Sequence, residues 1–279
     1  MSTPRSVTVR VPGSTSNLGS GFDTLGLALR IYNRVTVTVG GVARTRLTSP
    51  LDAGARAGAT AMVREAAAAF FRAAGRRREA FEIHVAGDVP LARGLGSSTT
   101  VQLGCVAALN ALAGAPLSRH QVFELVAGLE GHPDNAAPAT YGGFTVAGLI
   151  AGGARVQRFA VPRAARFVTL IPDYEVRTSE ARRLLPGSYP VADVAHALSR
   201  AALVTAAFAR GDLAGLRDCF DDRVHQPYRQ TLIPALGPVI EAGVRAGAVG
   251  GWLSGSGSTI ICLATGGTEA VAGAMTRAE

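Results

Sequence analysis

Residues 90–100 read Pro-Leu-Ala-Arg-Gly-Leu-Gly-Ser-Ser-Thr-Thr, and the flanking sequence limits what this segment can be. Upstream, Phe81-Glu82-Ile83-His84-Val85 alternates as a strand does, and downstream residues 101–109 carry the apolar spacing of a helix. A strand, a loop with Gly94 and Gly96, two serines and a helix make an anion cradle. Glycine lets the backbone approach closely, and the first N–H groups of a helix have no intrahelical partner. Ser97 and Ser98 add hydroxyls for a phosphate or a metal. No Lys follows the second glycine, and all 28 basic residues are Arg, so a Walker A mechanism that needs the lysine is excluded. A glycine turn with a serine N-cap is the plainer reading of the loop taken alone.

The chain has 279 residues, 48% hydrophobic and 17% charged, enough for one large domain or two of ordinary size with a full core. A net charge of +8 suits an anionic small molecule such as a nucleotide. The arginines are scattered, and the densest run, Arg76-Arg77-Arg78, follows a helix whose dipole favours cations at that end. Nucleic acid is therefore not the expected partner. Cys105, Cys219 and Cys262 are far apart with no metal or disulfide spacing, which predicts free thiols in a reducing cytoplasm. No signal peptide opens the chain, and no uninterrupted apolar run predicts a membrane span.

Along the chain, strands are predicted over 6–11, 28–39, 142–147, 155–161 and from 168, with Val35, Val37 and Val39 on one buried face. Residues 12–21 read as a loop. Helices are predicted over 58–74, from Ser118 through Leu129 with a Ser118/Gln121 capping box, over 178–185 with Thr178 as cap, 190–210, 232–246 and 268–277. Gly237-Pro238 delays the start of the penultimate one. Residues 252–263 read as strand, tight turn, strand. Irregularly mixed strands and helices suggest an α+β chain of two domains, 1–162 and 163–279.

Three further segments carry polar chemistry: residues 12–23, Pro-Gly-Ser-Thr-Ser-Asn-Leu-Gly-Ser-Gly-Phe-Asp; Glu130-Gly131-His132-Pro133-Asp134-Asn135; and Ser254-Gly255-Ser256-Gly257-Ser258. Each alone is an ordinary turn or hairpin. Together, in this order, they resemble the GHMP small-molecule kinases over nearly the whole chain. Asn17-Leu18-Gly19 with Gly21-Phe22-Asp23, and residues 131–139, are similar to the forms found in the homoserine kinase branch.

That resemblance implies a two-domain GHMP kinase-like fold. Its N-terminal half would be like a domain of ribosomal proteins, and its C-terminal half ferredoxin-like. It implies ATP-dependent phosphorylation of the homoserine side-chain hydroxyl, with Mg²⁺, in threonine biosynthesis. Pro90, Arg93, Gly94, Leu95, Gly96, Ser97, Ser98, Thr99 and Thr100 would hold the triphosphate. Ser98 and Glu130 would serve the metal, with Glu124 as the alternative carboxylate. Asn17 and Asp23 would bind the substrate ammonium, Arg182 and Arg229 its carboxylate, since a planar guanidinium fork matches a carboxylate. Asn135, His132 and Asp134 would lie at the reacting hydroxyl. Asn135 cannot accept a proton, so either no strong base operates or Asp134 serves. Adenine contacts are expected from residues 44–58. A kinase for a related hydroxy-amino acid such as threonine, and a non-catalytic sensor or RNA-binding protein, remain rivals, and a homodimer is compatible with the sequence.

Overall fold

The computed structural model describes residues 5–40, 45–49 and 53–279, so the expected adenine segment lies partly outside the described residues. The first sheet is built on a 15-residue strand, β2 (Leu25–Val39). β1 (Arg5–Ser16) pairs with it antiparallel along most of its length. Its other edge takes β4 (Phe81–Gly87) and β5 (Phe144–Ile150). β3 (Arg46–Leu47) joins β4 in parallel, and β6 (Gly153–Phe159) joins β5. Val35, Val37 and Val39 are buried on one face of β2, as the alternation predicts.

That face is covered by α1 (Ala53–Ala73), α2 (Ser97–Leu112) and α3 (Arg119–Glu130). Phe70, Phe81 and Phe123 are fully buried there, each contributing about 1.5–3 kcal/mol by leaving water. α3 carries the predicted capping box, Ser118 with Gln121. Gly104 explains how closely α2 lies on the sheet: a Cβ at this position would collide with Val35.

Three segments depart from the sequence expectation. β1 runs on through residues 12–16, because a register shift between Pro12 and Ser14 lets Ser14, Thr15 and Ser16 pair with Ala28, Leu27 and Gly26. A short helix, α4 (Ala136–Tyr141), follows the 131–136 turn. In α5 (Thr178–Arg183) the N-cap is Arg177, so Thr178 starts the helix instead of capping it.

A second, antiparallel sheet has the order β7 (Arg166–Leu170), β9 (Ile260–Ala264), β8 (Gly250–Leu253). α8 (Leu236–Arg245) and α9 (Thr268–Ala278) pack on it. α8 begins at Leu236, in keeping with the delay expected from Gly237-Pro238. A shared core joins the two sheets. Leu25, Leu27, Leu95 and Phe144 from one side meet Phe208, Phe220 and Trp252 from the other, with Phe144 stacked on Phe208 at 4.2 Å. The Trp252 indole N–H donates to Thr15 Oγ1 at 3.0 Å, fastening β8 to β1. Phe208 lies on α6 (Val191–Arg210), which passes as a membrane span by length and composition only, its apolar run interrupted by Asp193, His196 and Arg200. It carries Asp193 and His196, which approach Arg223 at 3.3 Å and Asp221 at 3.1 Å.

Candidate active site

The glycine loop ends at Gly96, which caps α2 in the left-handed conformation with φ 71°. A Cβ there would collide with Ser14 Oγ and lie 3.3 Å from Asn135 Oδ1, so only glycine brings the loop this close to its neighbours. Among the described residues no side chain caps α2, the arrangement in which the first N–H groups of a helix can receive an anion. The loop is pinned from both halves of the molecule. Ser14 N–H donates to Leu95 O (3.1 Å), Thr259 N–H to Arg93 O (3.2 Å) and Ser254 Oγ to Gly94 O (2.7 Å).

Beside it, α3 ends at Glu130 and the chain turns through Gly131 with φ 79°. Glu130 Oε1, Ser97 Oγ and Thr99 Oγ1 are buried and make no well-aligned hydrogen bond among the described residues, although the Ser98 and Thr99 hydroxyls lie against the Glu130 carboxyl. Burial holds the Glu130 carboxyl above the ordinary carboxylate range, against the opposing pull of His132 and the Ser98 hydroxyl. His132 Nδ1 lies 2.5 Å from Asp134 Oδ1. Burial alone would lower the imidazole, but the Asp134 hydrogen bond and charge outweigh it and raise the pKa. The Asn135 amide is fixed at both ends: its oxygen accepts from Ser14 Oγ at 2.8 Å and its nitrogen donates to Ser16 Oγ at 3.1 Å.

The loop after β1 completes the site. Asn17, Leu18 and Asp23 hold positive φ of 72°, 47° and 54°, strain of the kind that collects at functional sites. This loop brings an Asp23 carboxylate oxygen within 4.8 Å of ligating atoms of both His132 and Asp134. From the second half, Arg182 grips Asp23, and Arg229, in the short helix α7 (Gln226–Arg229), is 2% exposed. Arg229 Nη1 donates to Gly255 O at 2.8 Å, while its Nε is buried without a hydrogen-bond partner among the described residues. Burial, then the charge of Arg182, lowers its pKa to about 10. Both guanidinium groups lie over the Phe22 ring, at 5.4 and 5.3 Å.

The glycine loop, the Asp23–His132–Asp134 cluster and two guanidinium groups are therefore brought together from both halves of the molecule. Two family models match this chain, GHMP kinases N terminal domain over residues 61–143 and GHMP kinases C terminal over 204–278. The homoserine kinase of Deinococcus radiodurans is 42% identical over 264 residues, covering 94% of this chain and 86% of that protein. This chain belongs to the homoserine kinases of the GHMP family. The homoserine kinase of Thermus thermophilus is 39% identical over 266 residues, covering 93% of this chain and 87% of its own. The crystal structure of the homoserine kinase from Cytophaga hutchinsonii superposes with a TM-score of 0.85 at 26% identity, covering 100% of this chain and 91% of that one. The α+β fold expected from the sequence is the GHMP kinase fold, and the chain is an ATP-dependent kinase with an alcohol acceptor.

Within this homoserine kinase fold, most sequence-predicted residues converge, and several also make contacts within the protein. Arg93 extends its guanidinium to Asp173 (3.3 Å) and Glu175 (3.7 Å). Leu95 packs its side chain into the shared core. Thr100 Oγ1 donates to Ser97 O and accepts from Asn33, so it shapes the loop. Pro90 lies half-buried ahead of the loop. Asn17 clips two loops together, its oxygen accepting from Asp23 N–H and its nitrogen donating to Gly255 O, both at 3.1 Å. Glu124 accepts from Ala154 N–H at 3.0 Å and lies 3.5 Å from His120, away from the 130–135 turn. Sequence reasoning missed Ser14, Ser16, Asp222 and His225. Asp222 was findable: an Asp shortly before His225-Gln226-Pro227 is a helix-start signal, and its carboxylate accepts from Val224, His225 and Gln226 N–H.

Proposed function

We propose that this chain transfers the γ-phosphoryl group of ATP to the side-chain hydroxyl of homoserine, giving O-phosphohomoserine. The observation that carries the reading is Arg229: a guanidinium buried beside the Gly255 loop whose Nε has no partner among the described residues. A buried charged donor left unpaired is costly, and a planar carboxylate on that edge would relieve it. Asp23 and the Asp134 carboxylate supply negative charge for the ammonium of the same amino acid, and Arg182 a second cation for its carboxylate. The side-chain hydroxyl then lies toward Asn135, which adjoins Gly96 of the phosphate loop.

Gly94, Gly96, Ser97, Ser98 and Thr99 hold the triphosphate through backbone N–H groups and hydroxyls at the α2 N-terminus. The orphaned Glu130 and Thr99 oxygens, with Ser98 beside them, are hard donors that fit Mg²⁺. Ser98 and Glu130 would hold the ion, which neutralises triphosphate charge when bound. Phosphoryl transfer through a loose transition state needs alignment and charge neutralisation more than early deprotonation. His132 already occupies Asp134 Oδ1, and Asn135 cannot take a proton, so these residues orient the hydroxyl. We further propose a domain boundary at 162/163, between the last strand of the first sheet and β7, and a cytoplasmic setting, in keeping with three free cysteines.

Substituting Arg229→Ala tests the reading. The homoserine KM rises by about two orders of magnitude or more while the ATP KM holds. Equal loss for both substrates would remove the assignment.

A further inference from the structure

The free edge of Arg229 is useful only if something fixes the plane of its guanidinium. Gly255 O fixes one direction of Nη1. The other neighbour of Nη1 is His225 Nδ1 at 3.3 Å. Arginine has no acceptor, so the contact is a hydrogen bond only if Nδ1 carries a lone pair. The opposite ring nitrogen, Nε2, lies 2.9 Å from Gly19 O and 3.4 Å from Asp222 Oδ2, both of which only accept. The proton therefore belongs on Nε2. The imidazole is fully buried and stacks on Phe22 with ring centroids 5.2 Å apart.

We propose that neutral His225, protonated at Nε2, is the positioning residue that orients Arg229 for the substrate carboxylate and couples it to the Asn17–Asp23 loop through Gly19. The proposal rests on the carboxylate role given to Arg229 above. One ring joins three parts of the amino-acid site: the Gly19 backbone, the Phe22 face and the Arg229 fork. Burial, the largest influence, lowers the His225 pKa against the raising effect of Asp222, which agrees with a neutral ring at neutral pH. A protonated ring would set two cations side by side and turn Nδ1 from acceptor to donor. His225 touches no reacting atom; it acts through Arg229.

Two variants separate orientation from packing. His225→Asn offers an amide oxygen near the Nδ1 position and retains an acceptor for Arg229. His225→Gln offers an N–H near the Nε2 position and loses that acceptor. In His225→Gln the homoserine KM rises about tenfold or more with the ATP KM unchanged, and His225→Asn recovers most of the loss. A folded His225→Gln enzyme with an unaltered homoserine KM, or an ATP KM that rises in step, overturns the proposal. Arg229→Ala is measured alongside. If it spares the homoserine KM, the carboxylate assignment itself is wrong; if it does not and His225→Gln does, only the role of His225 falls. Should both histidine variants unfold, long-range ¹⁵N–¹H correlation of the wild-type imidazole at neutral pH decides. A single proton on Nε2 supports the proposal, and one on Nδ1 or on both nitrogens overturns it.

Discussion

Arg182 closes on both carboxylate oxygens of Asp23, Nη2 to Oδ1 at 2.7 Å and Nη1 to Oδ2 at 3.0 Å. The two groups proposed to receive opposite ends of an amino-acid zwitterion thus neutralise one another in this structure. A homoserine molecule would replace each partner with one of its own charges, ammonium to Asp23 and carboxylate to Arg182. Arg182→Ala and Asp23→Asn should each raise the homoserine KM by about 10- to 100-fold, as expected for hydrogen bonds to charged groups. Because the two residues share one pair, the double variant should lose less than the product of the single losses, a coupling that a double-mutant cycle measures. Additive losses would show that the substrate does not part the pair.

Glu130 and Glu124 make different predictions for the metal. The Glu130 carboxyl has an orphaned buried oxygen beside the α2 N-terminus, whereas Glu124 is held by Ala154 N–H. In Glu130→Gln, the Mg²⁺ concentration for half-maximal activity should rise by about tenfold or more, because a neutral amide replaces a charged hard ligand. Glu124→Gln should leave it unchanged. Titrating activity with Mg²⁺ at saturating ATP and homoserine distinguishes the two.

Asp134 should behave as an orienting residue. Its Oδ1 receives His132 Nδ1 at 2.5 Å and Asn135 Nδ2 at 3.4 Å. Asp134→Asn preserves the shape of this contact and should lower kcat by about 10- to 100-fold. A loss of about four orders of magnitude with unaltered substrate binding would identify it as the general base instead.

The His132–Asp134 contact also predicts a pH-dependent stability. The folded-state pKa of His132 is raised above its ordinary value of about 6.5. Its contribution is therefore complete below the unfolded-state pKa and is lost as pH rises through the folded-state value. The Tm advantage of wild type over His132→Asn should be greatest near pH 6 and shrink toward pH 9. An advantage that grew with pH would mean the imidazole is neutral in the folded protein.

The parts of this enzyme legible in the sequence are those fixed by local chemistry. The valine alternation of β2, the capping box of α3 and the glycine loop before α2 each follow from periodicity, capping or backbone freedom. Where chain segments depend on distant partners, local reading fails. Residues 12–16 look like loop because small polar residues rarely form strands, yet β2 supplies the hydrogen bonds. Arg93 and Asn17 lie in recognisable motifs, while the contacts of their side chains with Asp173 and Gly255 follow from no local pattern. His225 was invisible for the same reason: its partners are Gly19, 206 residues away, and a guanidinium whose open edge appears only in three dimensions.

The most direct test of the account is a coupled assay of kcat/KM with ATP and Mg²⁺ across homoserine, threonine, serine and mevalonate. The account predicts homoserine to be preferred, with serine, one methylene shorter, behind it by about 10- to 200-fold, threonine, whose hydroxyl sits one carbon nearer the ammonium, also a poorer substrate, and mevalonate, which has no ammonium for Asp23, inert. Turnover of mevalonate at a rate equal to or above that of homoserine would contradict it.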